Sequence, residues 1–496
     1  MIVLLGLCGC NTVISENTEE KENVAEAYDL SFDGSNDSSY EINGSTYVSL
    51  GSDDIKITKG GTYILEGTLE DASIIVEVSE DEDVQLVLNG VTIHSGDFAG
   101  IYIVEGDEIT ITLAEGSINS ISDIGTYTQI DSNNVDALIY SKADLIINGE
   151  GTLKLNSSYN HGIVSKDDLI IVSGTYDIDV AGQGLSGKDR LLIENGDFNI
   201  VSGKDALKSD NEEESKGYVS ITNGNFVINA SSDGIYGYNL VNIEGGTFDI
   251  TTVKSSDSDS FKAIKSENLI TVSAGILNID SVDDGLHSNN DISITGGTIS
   301  IESDDDGIHG DGKVQVDGGD ITISAHEGIE ATYVLINDGN ISISASDDGI
   351  NAGQKSSAYT ATVEINGGYI YISMGQGDTD GIDSNGYLYI NGGTIDIYGQ
   401  SPFDYDKGAE FNGGTILVNG QETNQITNQF MGGGMGGQMP GNNNNGNFPT
   451  QPGDSGQSPG SERPGRRPGG HPLLYARPGA FFLRSRHLPG RYPQLC

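Results

Sequence analysis

The sequence predicts an all-β protein, a right-handed parallel β-helix with coils of about 22 residues, and three observations carry that expectation. The first is composition: 70 of 496 residues are glycine and tryptophan is absent, while Val, Ile, Thr, Ser and Asn recur in short alternating runs. Such a composition suits short strands joined by tight turns. The second is a repeated Asp-Gly-Ile/Leu motif. The third is a Gly-Gly-Thr-Ile-x-Ile motif between its copies.

The first motif runs from His161-Gly162-Ile163 through Gln183-Gly184-Leu185, Asp205-Ala206-Leu207, Asp233-Gly234-Ile235, Lys262-Ala263-Ile264, Asp284-Gly285-Leu286, Asp306-Gly307-Ile308, Glu327-Gly328-Ile329 and Asp348-Gly349-Ile350 to Asp380-Gly381-Ile382. Its apolar members are spaced by 22, 22, 28, 29, 22, 22, 21, 21 and 32 residues. The second motif is clearest at Gly296-Gly297-Thr298-Ile299-Ser300-Ile301 and Gly392-Gly393-Thr394-Ile395-Asp396-Ile397. Strands this short need stacking: each bonds to its equivalent about 4.8 Å above and below, and the Ile, Leu and Val columns fill the interior. Parallel crossovers of this kind are right-handed. Propeller blades need a longer period and calcium-binding nonapeptide rolls a shorter one, while the Leu and Asn pattern of leucine-rich repeats is absent. The longer intervals are read as loops inserted at Asn211 to Ser215, Ser255 to Ser260 and Gln354 to Tyr359.

The two ends differ from this pattern. Residues 1–10 are read as a truncated lipoprotein signal with Cys10 as the lipidated residue, since an apolar run precedes Leu7-Cys8-Gly9-Cys10 but no basic segment does. That predicts an extracellular protein, lipid-anchored to a bacterial cell surface. An acidic tether over 11–35 follows. Residues 36–135 are expected to form the first coils or a cap, 136–420 the β-helix, and 421–461 a Gly, Asn and Pro-rich linker. In the basic tail, 462–496, seven of the chain's eight arginines occur, which is the pattern of a reading-frame error or of a basic arm. Cys8, Cys10 and Cys496 are the sole cysteines, so the repeat region holds neither disulfide nor thiolate metal site.

A formal charge of −50 argues against nucleic acid and anionic membranes as partners and favours divalent cations or cation-bridged acidic polymers. Stacking aligns Asp233, Asp284, Asp306, Glu327, Asp348 and Asp380, preceded by Asp283, Asp305 and Asp347. Like charges 5 Å apart repel by roughly 1 kcal/mol in water and by several at surface dielectric. With few lysines nearby, bound Ca²⁺ is the expected neutralising partner, because an all-oxygen donor set suits it. The predicted ligands are Asp283, Asp284, Asp304, Asp305, Asp306, Asp311, Glu327, Asp347, Asp348, Asp380 and Asp383, with the triple Asp304-Asp305-Asp306 and Asp311 foremost. The alternative is that Asp-Asp-Gly turns merely end strands and keep an edge soluble. One residue after each Ile or Leu runs a second column: Lys208, Tyr236, Lys265, His287, His309, Glu330, Asn351, Asp383 and Glu410. His287 and His309 could share a metal or be ordinary polar ladder residues.

Gly61-Thr62-Tyr63-Ile64-Leu65-Glu66-Gly67, Val84 to Ile93 and Ile111 to Asn119, together with the Asp-Asp-Gly-Ile/Leu-His coils, resemble the clostridial carbohydrate-binding domain proteins over roughly residues 40 to 420. The resemblance implies a calcium-bearing parallel β-helix related to pectate lyases, displayed on the cell surface, that binds cellulose and acidic pectic polymers. Three functions follow as expectations. In the first, polysaccharide is bound without catalysis, with Tyr369, Tyr371, Tyr387 and Tyr389 as the stacking platform in the absence of Trp. In the second, a calcium-dependent polysaccharide lyase uses Lys208 or Lys265 as base. In the third, the chain is a structural adhesin. Oligomeric state has no signature in the sequence.

Overall fold

A computed structural model describes residues 28–31, 38–40, 44–256, 258, 260–375 and 379–428. Cys10, most of the tether, most of the linker and the basic tail lie outside the described residues. The described strands, 43 in all, run from Thr46–Leu50 to Gln421–Thr423 with no helix among them. All pair in parallel except the last, which folds back antiparallel on Thr415–Val418.

A typical coil has three strands on three faces. Leu185–Gly187 lies on a first face, Arg190–Ile193 on a second and Asp197–Ser202 on a third. Each bonds to its equivalents on the coils before and after, 22 or 28 residues away: Ile163, Leu185 and Leu207 form one column, and Tyr176, Phe198 and Phe226 another. The parallel β-helix is therefore as expected. Residues 46–122 continue it, with Gly61–Glu70 pairing to Val84–His94 and that strand in turn to Glu108–Leu113 and Ile118–Ser122, so they form coils rather than a separate cap.

Alternation along each third-face strand places one side chain in and the next out. Thr298–Ser303 reads exposed, buried, exposed, buried, exposed, buried. The inward residues make a continuous core of Ile, Leu and Val from Ile57 to Ile416. Within it Tyr176, Phe198, Phe226 and Phe248 stack with centroids 4.8, 4.6 and 4.5 Å apart and planes within 5°. The strand spacing sets that distance, which is also the stacking distance of aromatic rings.

The Gly of the first motif is required by coil packing rather than by φ. A Cβ at Gly307 would lie 2.3 Å from Ile323 Cγ2 and 2.7 Å from the Gly328 carbonyl oxygen. In the Gly-Gly motif the second glycine does need its freedom: Gly297 has φ +97°.

Small clusters also form outside the barrel of coils. Tyr102, Tyr140 and Val164 are covered by Phe98 and the 123–135 loop, and Ile170, Leu192 and Tyr218 by Tyr28 and Leu30. Tyr28 meets Tyr218 edge to face at 5.2 Å, and Tyr218 Oη donates to the Asp29 carbonyl at 2.5 Å. Residues 28–31, within the range read as a solvated tether, thus lie against the flank of the coils.

Phe226→Ala removes the centre of the aromatic stack and is expected to destabilise the coils by about 3–5 kcal/mol, seen as a lower urea midpoint. A loss below about 1 kcal/mol would contradict the packing described.

Candidate functional site

The turn from third face to first repeats the acidic motif, and stacking does align it. Leu207, Ile235, Ile264, Leu286, Ile308, Ile329, Ile350 and Ile382 are successive register partners. The residue after each gives Lys208, Tyr236, Lys265, His287, His309, Glu330, Asn351 and Asp383. Glu410 does not belong to this column. It pairs with Tyr389 on the second face, and the next coil's strand, Ser401–Phe403, pairs with Asp380 and Ile382, so that Asp404 follows Asp383. A 21-residue step from Asp383 reaches Asp404, but the last coil's first-face strand, Ser401–Phe403, lacks the Asp-Gly-Ile/Leu motif that marks the position.

The motif carboxylates have a structural use that the sequence reading missed. Asp205 Oδ1 accepts the Asp233 backbone N–H at 3.3 Å, Asp233 Oδ1 that of Lys262 at 2.9 Å, Asp284 Oδ1 that of Asp306 at 3.1 Å and Asp348 Oδ1 that of Asp380 at 2.8 Å. One oxygen of each thereby satisfies the amide at the equivalent turn of the next coil. The recurrence of Asp at six of the ten motif turns was the available signal.

The expectation that protein cations are too few to balance the column is corrected for its first half. Lys262 Nζ lies 2.7 Å from Asp283 and 3.7 Å from Asp284. His287 Nδ1 is 2.6 Å from Asp284. His309 Nδ1 lies 2.6 Å from Asp306 and 3.0 Å from Glu330, and its Nε2 3.3 Å from Asp311. Lys355 Nζ closes on Glu330 at 2.7 Å. Inserted loops do this work as well as the coils: Lys355 lies in one, and Ser260 Oγ of another donates to Asp233 at 2.7 Å.

The two imidazoles stack at 4.7 Å. Although burial opposes its charge, hydrogen bonds to Asp306 and Glu330 hold His309 protonated up to about 10. A ring nitrogen of each histidine and a carboxylate oxygen of Asp284 lie within 4.8 Å of one another, and so do a ring nitrogen of His309 and oxygens of Asp306 and Glu330. Burial likewise works against the Glu330 carboxylate, yet His309 and Lys355 keep it down at about 2. Burial and then Asp284 and Glu330 lift Asp306 to about 6 against His309.

The foremost predicted ligands do not converge. Asp304 and Asp305 are exposed, Asp306 is buried under His309, and Asp311 faces the other side of that ring. Oxygens of Asp283, Asp284 and Asp305 do approach within 4.8 Å of one another, beside Lys262. Side-chain atoms of His326, Glu327 and Asp347 do the same. Further along, charge is less balanced. Burial, together with Glu330, Asp306 and Asp348, pushes Glu327 up to about 8 despite a hydrogen bond from Asn351. Burial and the neighbouring carboxylates of Asp348, Asp404 and Asp380 push Asp383 up to about 7. Asp383 makes no ion pair among the described residues.

The candidate lyase bases are engaged elsewhere. Lys208 sits 3.1 Å from Asp205 and 3.4 Å from Asp210, and Lys265 3.5 Å from Glu267 and 4.0 Å from Asp233, with Tyr236 between the two ammonium groups at 5.4 and 5.2 Å. Burial opposes the Lys208 charge, but Asp205 and Asp210 raise its pKa above the usual lysine value, the reverse of what a proton-abstracting amine needs.

Of the predicted tyrosines, Tyr387 and Tyr389 lie on the second face with rings 5.9 Å apart and 14° from parallel. Tyr369 and Tyr371 lie on the third face, where Tyr371 meets Tyr398 at 5.7 Å. The four therefore form two separate aromatic patches.

A stacked parallel β-helix with an acidic turn column and outward tyrosines defines a repeat-built scaffold. The chain belongs to the carbohydrate-binding domain-containing protein family, which it matches over residues 51–307 and 304–429. A carbohydrate-binding domain-containing protein of Acetivibrio thermocellus is 37% identical over 129 residues, 26% of this chain and 45% of that relative. The chain thus matches less than half the length of this relative. A solved structure described as the polysaccharide lyase-like protein from C. thermocellum, a gadolinium derivative, has a TM-score of 0.43 and 31% identity over 46% of this chain and 95% of that one.

Two outcomes follow for the column. His309→Ala leaves Asp306 buried without its cation, with Lys355 alone facing Glu330, and is expected to cost about 3–5 kcal/mol at neutral pH in urea unfolding. The pKa of His309 is raised on folding, so its contribution is complete below about pH 6 and fades as pH rises through 10. Glu327 and Asp383 are carboxyls raised on folding to about 8 and 7, so the stability tied to their protons is present below about pH 4 and lost as pH climbs through those values. In chelator, Glu327→Gln and Asp383→Asn should each raise Tm by about 1–3 °C at pH 9 and leave it unchanged at pH 4. A lower Tm at pH 9 would mean that these carboxylates are already compensated.

Proposed function

We propose that the protein is a non-catalytic, cell-surface polysaccharide-binding protein that uses Ca²⁺ on the later coils of its acidic column to engage plant cell-wall glycans, polygalacturonate and cellulose among them. The observation that carries this reading is the pair of carboxyls at Glu327 and Asp383, pushed up by burial and then by neighbouring carboxylates, with His326 beside Glu327 and 3.9 Å from Asp347. The donor set suits a hard cation. Glu327 on one coil, Asp347 and Asp348 on the next, Asp380 and Asp383 on the one after and Asp404 on the last offer oxygens from adjacent coils. Bound Ca²⁺ would neutralise these groups and leave positions for uronate carboxylates of the glycan. The chain's own part is to hold the carboxylates at coil spacing and to keep the first half of the column occupied by Lys262, His309 and Lys355, so that cation and glycan are directed to the second. Attachment through Cys10 would place the coils outside the cell.

Pull-down on insoluble polygalacturonate is expected to retain the protein in CaCl₂ and release it in EDTA, while millimolar CaCl₂ raises Tm. Equal Tm in CaCl₂ and EDTA would remove calcium from the reading, and recovery in the supernatant with every glycan would leave a structural adhesin. Unsaturated products detected by ultraviolet absorbance would overturn the non-catalytic assignment.

A further inference from the structure

At the middle of the column two histidines stand among buried carboxylates, so that nitrogen joins oxygen as a donor. His287, His309 and Glu330 are register partners on three successive coils, and Asp284 and Asp306 come from the turns just before the two histidines. Asp284, Asp306 and Glu330 are only 3, 7 and 8% exposed.

The outer nitrogen of each ring already has an acceptor. His287 Nε2 lies 2.8 Å from Asn289 Oδ1, and the Asn289 amide nitrogen is turned to Glu267. His309 Nε2 lies 3.3 Å from Asp311 Oδ1. Both contacts call for N–H at Nε2, the arrangement that orients imidazoles bound to a metal through their other nitrogen. That other nitrogen faces carboxylate: His287 Nδ1 is 2.6 Å from Asp284 Oδ2, and His309 Nδ1 is 2.6 Å from Asp306 Oδ2 and 3.0 Å from Glu330 Oε2. The second oxygen of Asp284 is fixed by the Asp306 backbone N–H. A bare lone pair at Nδ1 would meet only negative oxygen, so each Nδ1 carries a proton or a metal. One proton on His309 serves one of its two carboxylates along a straight bond, whereas one metal ion serves both. Bonds of about 2.0–2.2 Å to a first-row ion place its donors roughly 3 Å apart.

We propose that His287, His309, Asp284, Asp306 and Glu330 form a site for one transition-metal ion of the Zn²⁺ class, separate from the calcium assigned to the later coils. Ca²⁺ is a hard ion that gains little from imidazole, while Zn²⁺, Co²⁺ and Ni²⁺ bind it well. The entering ion replaces the ring protons and ties three coils together. Lys355, carried on an inserted loop and 30% exposed in its side chain, is the group that leaves Glu330 for solvent. The site does not depend on the polysaccharide-binding reading.

The experiment equilibrates the tag-free full-length protein with ZnCl₂ in excess CaCl₂, measures zinc retained after dialysis, and takes affinities by calorimetry without any glycan. Wild type is expected to keep about one Zn²⁺ per chain and to melt at a higher temperature with it. His287→Ala should bind zinc about tenfold more weakly or worse, and His326→Ala, altered in the neighbouring cluster, should match wild type. Lys355→Gln should bind zinc more tightly, since it removes the competing ammonium. That gain decides the matter if the histidine variant proves unfolded in thermal melts. Zinc displaced by calcium, loss through His326→Ala in place of His287→Ala, or no gain in folded Lys355→Gln would overturn the site. Such results leave the calcium-dependent pull-down to stand or fall by itself.

Discussion

Every feature of this molecule depends on the parallel register between coils. A strand of three to six residues cannot persist alone, so each coil must place its amides and carbonyls against those of the coil before it. Register then multiplies any local choice. One inward Ile becomes a core column from Ile57 to Ile416, one aromatic position becomes the stack from Tyr176 to Phe248, and one acidic turn becomes a line of carboxylates. The same constraint makes Gly307 and its equivalents necessary, because the next coil's carbonyl and an Ile methyl lie where a Cβ would be.

Repetition of charge is the awkward consequence, and it is resolved in two ways along one column. In earlier coils a carboxylate oxygen accepts the next coil's amide while Lys262, His287, His309 or Lys355 faces its charge. In later coils the amide bond persists, as between Asp348 and Asp380, but neighbouring carboxylates dominate the field at Asp383. A cation-paired stretch and a carboxylate-rich stretch of the same motif therefore coexist, and the position of the basic residues separates them. Inserted loops take part in this separation, since Lys355 and Ser260 return to the column from outside the coil.

The third face shows what register does with uncharged polar residues. Serine and threonine in equivalent positions give a low, hydroxyl-bearing lane, and a change to tyrosine at Tyr371 and Tyr398 ends it. A flat β-helix face and a charged turn edge are thus two surfaces of unlike chemistry on one scaffold.

The amino-acid sequence by itself determined the coil period, the inward residues and the alignment of the acidic motif, because strand alternation and 21- or 22-residue spacing are one-dimensional properties. It also placed Tyr387 beside Tyr389, which needs only period two. Tertiary structure alone decided which carboxylates keep their charge unmatched. Asp304, Asp305 and Asp306 are adjacent in the chain yet face solvent, Asp283 and His309 respectively, since the chain bends from the third face to the first within those residues. The partners of the column come from a coil above, a coil below or a loop: His309 meets Glu330 from the next coil, and Lys355 reaches it from an insertion. Such contacts depend on side-chain reach across coils, and the charge left over from them is a three-dimensional sum that no single repeat contains.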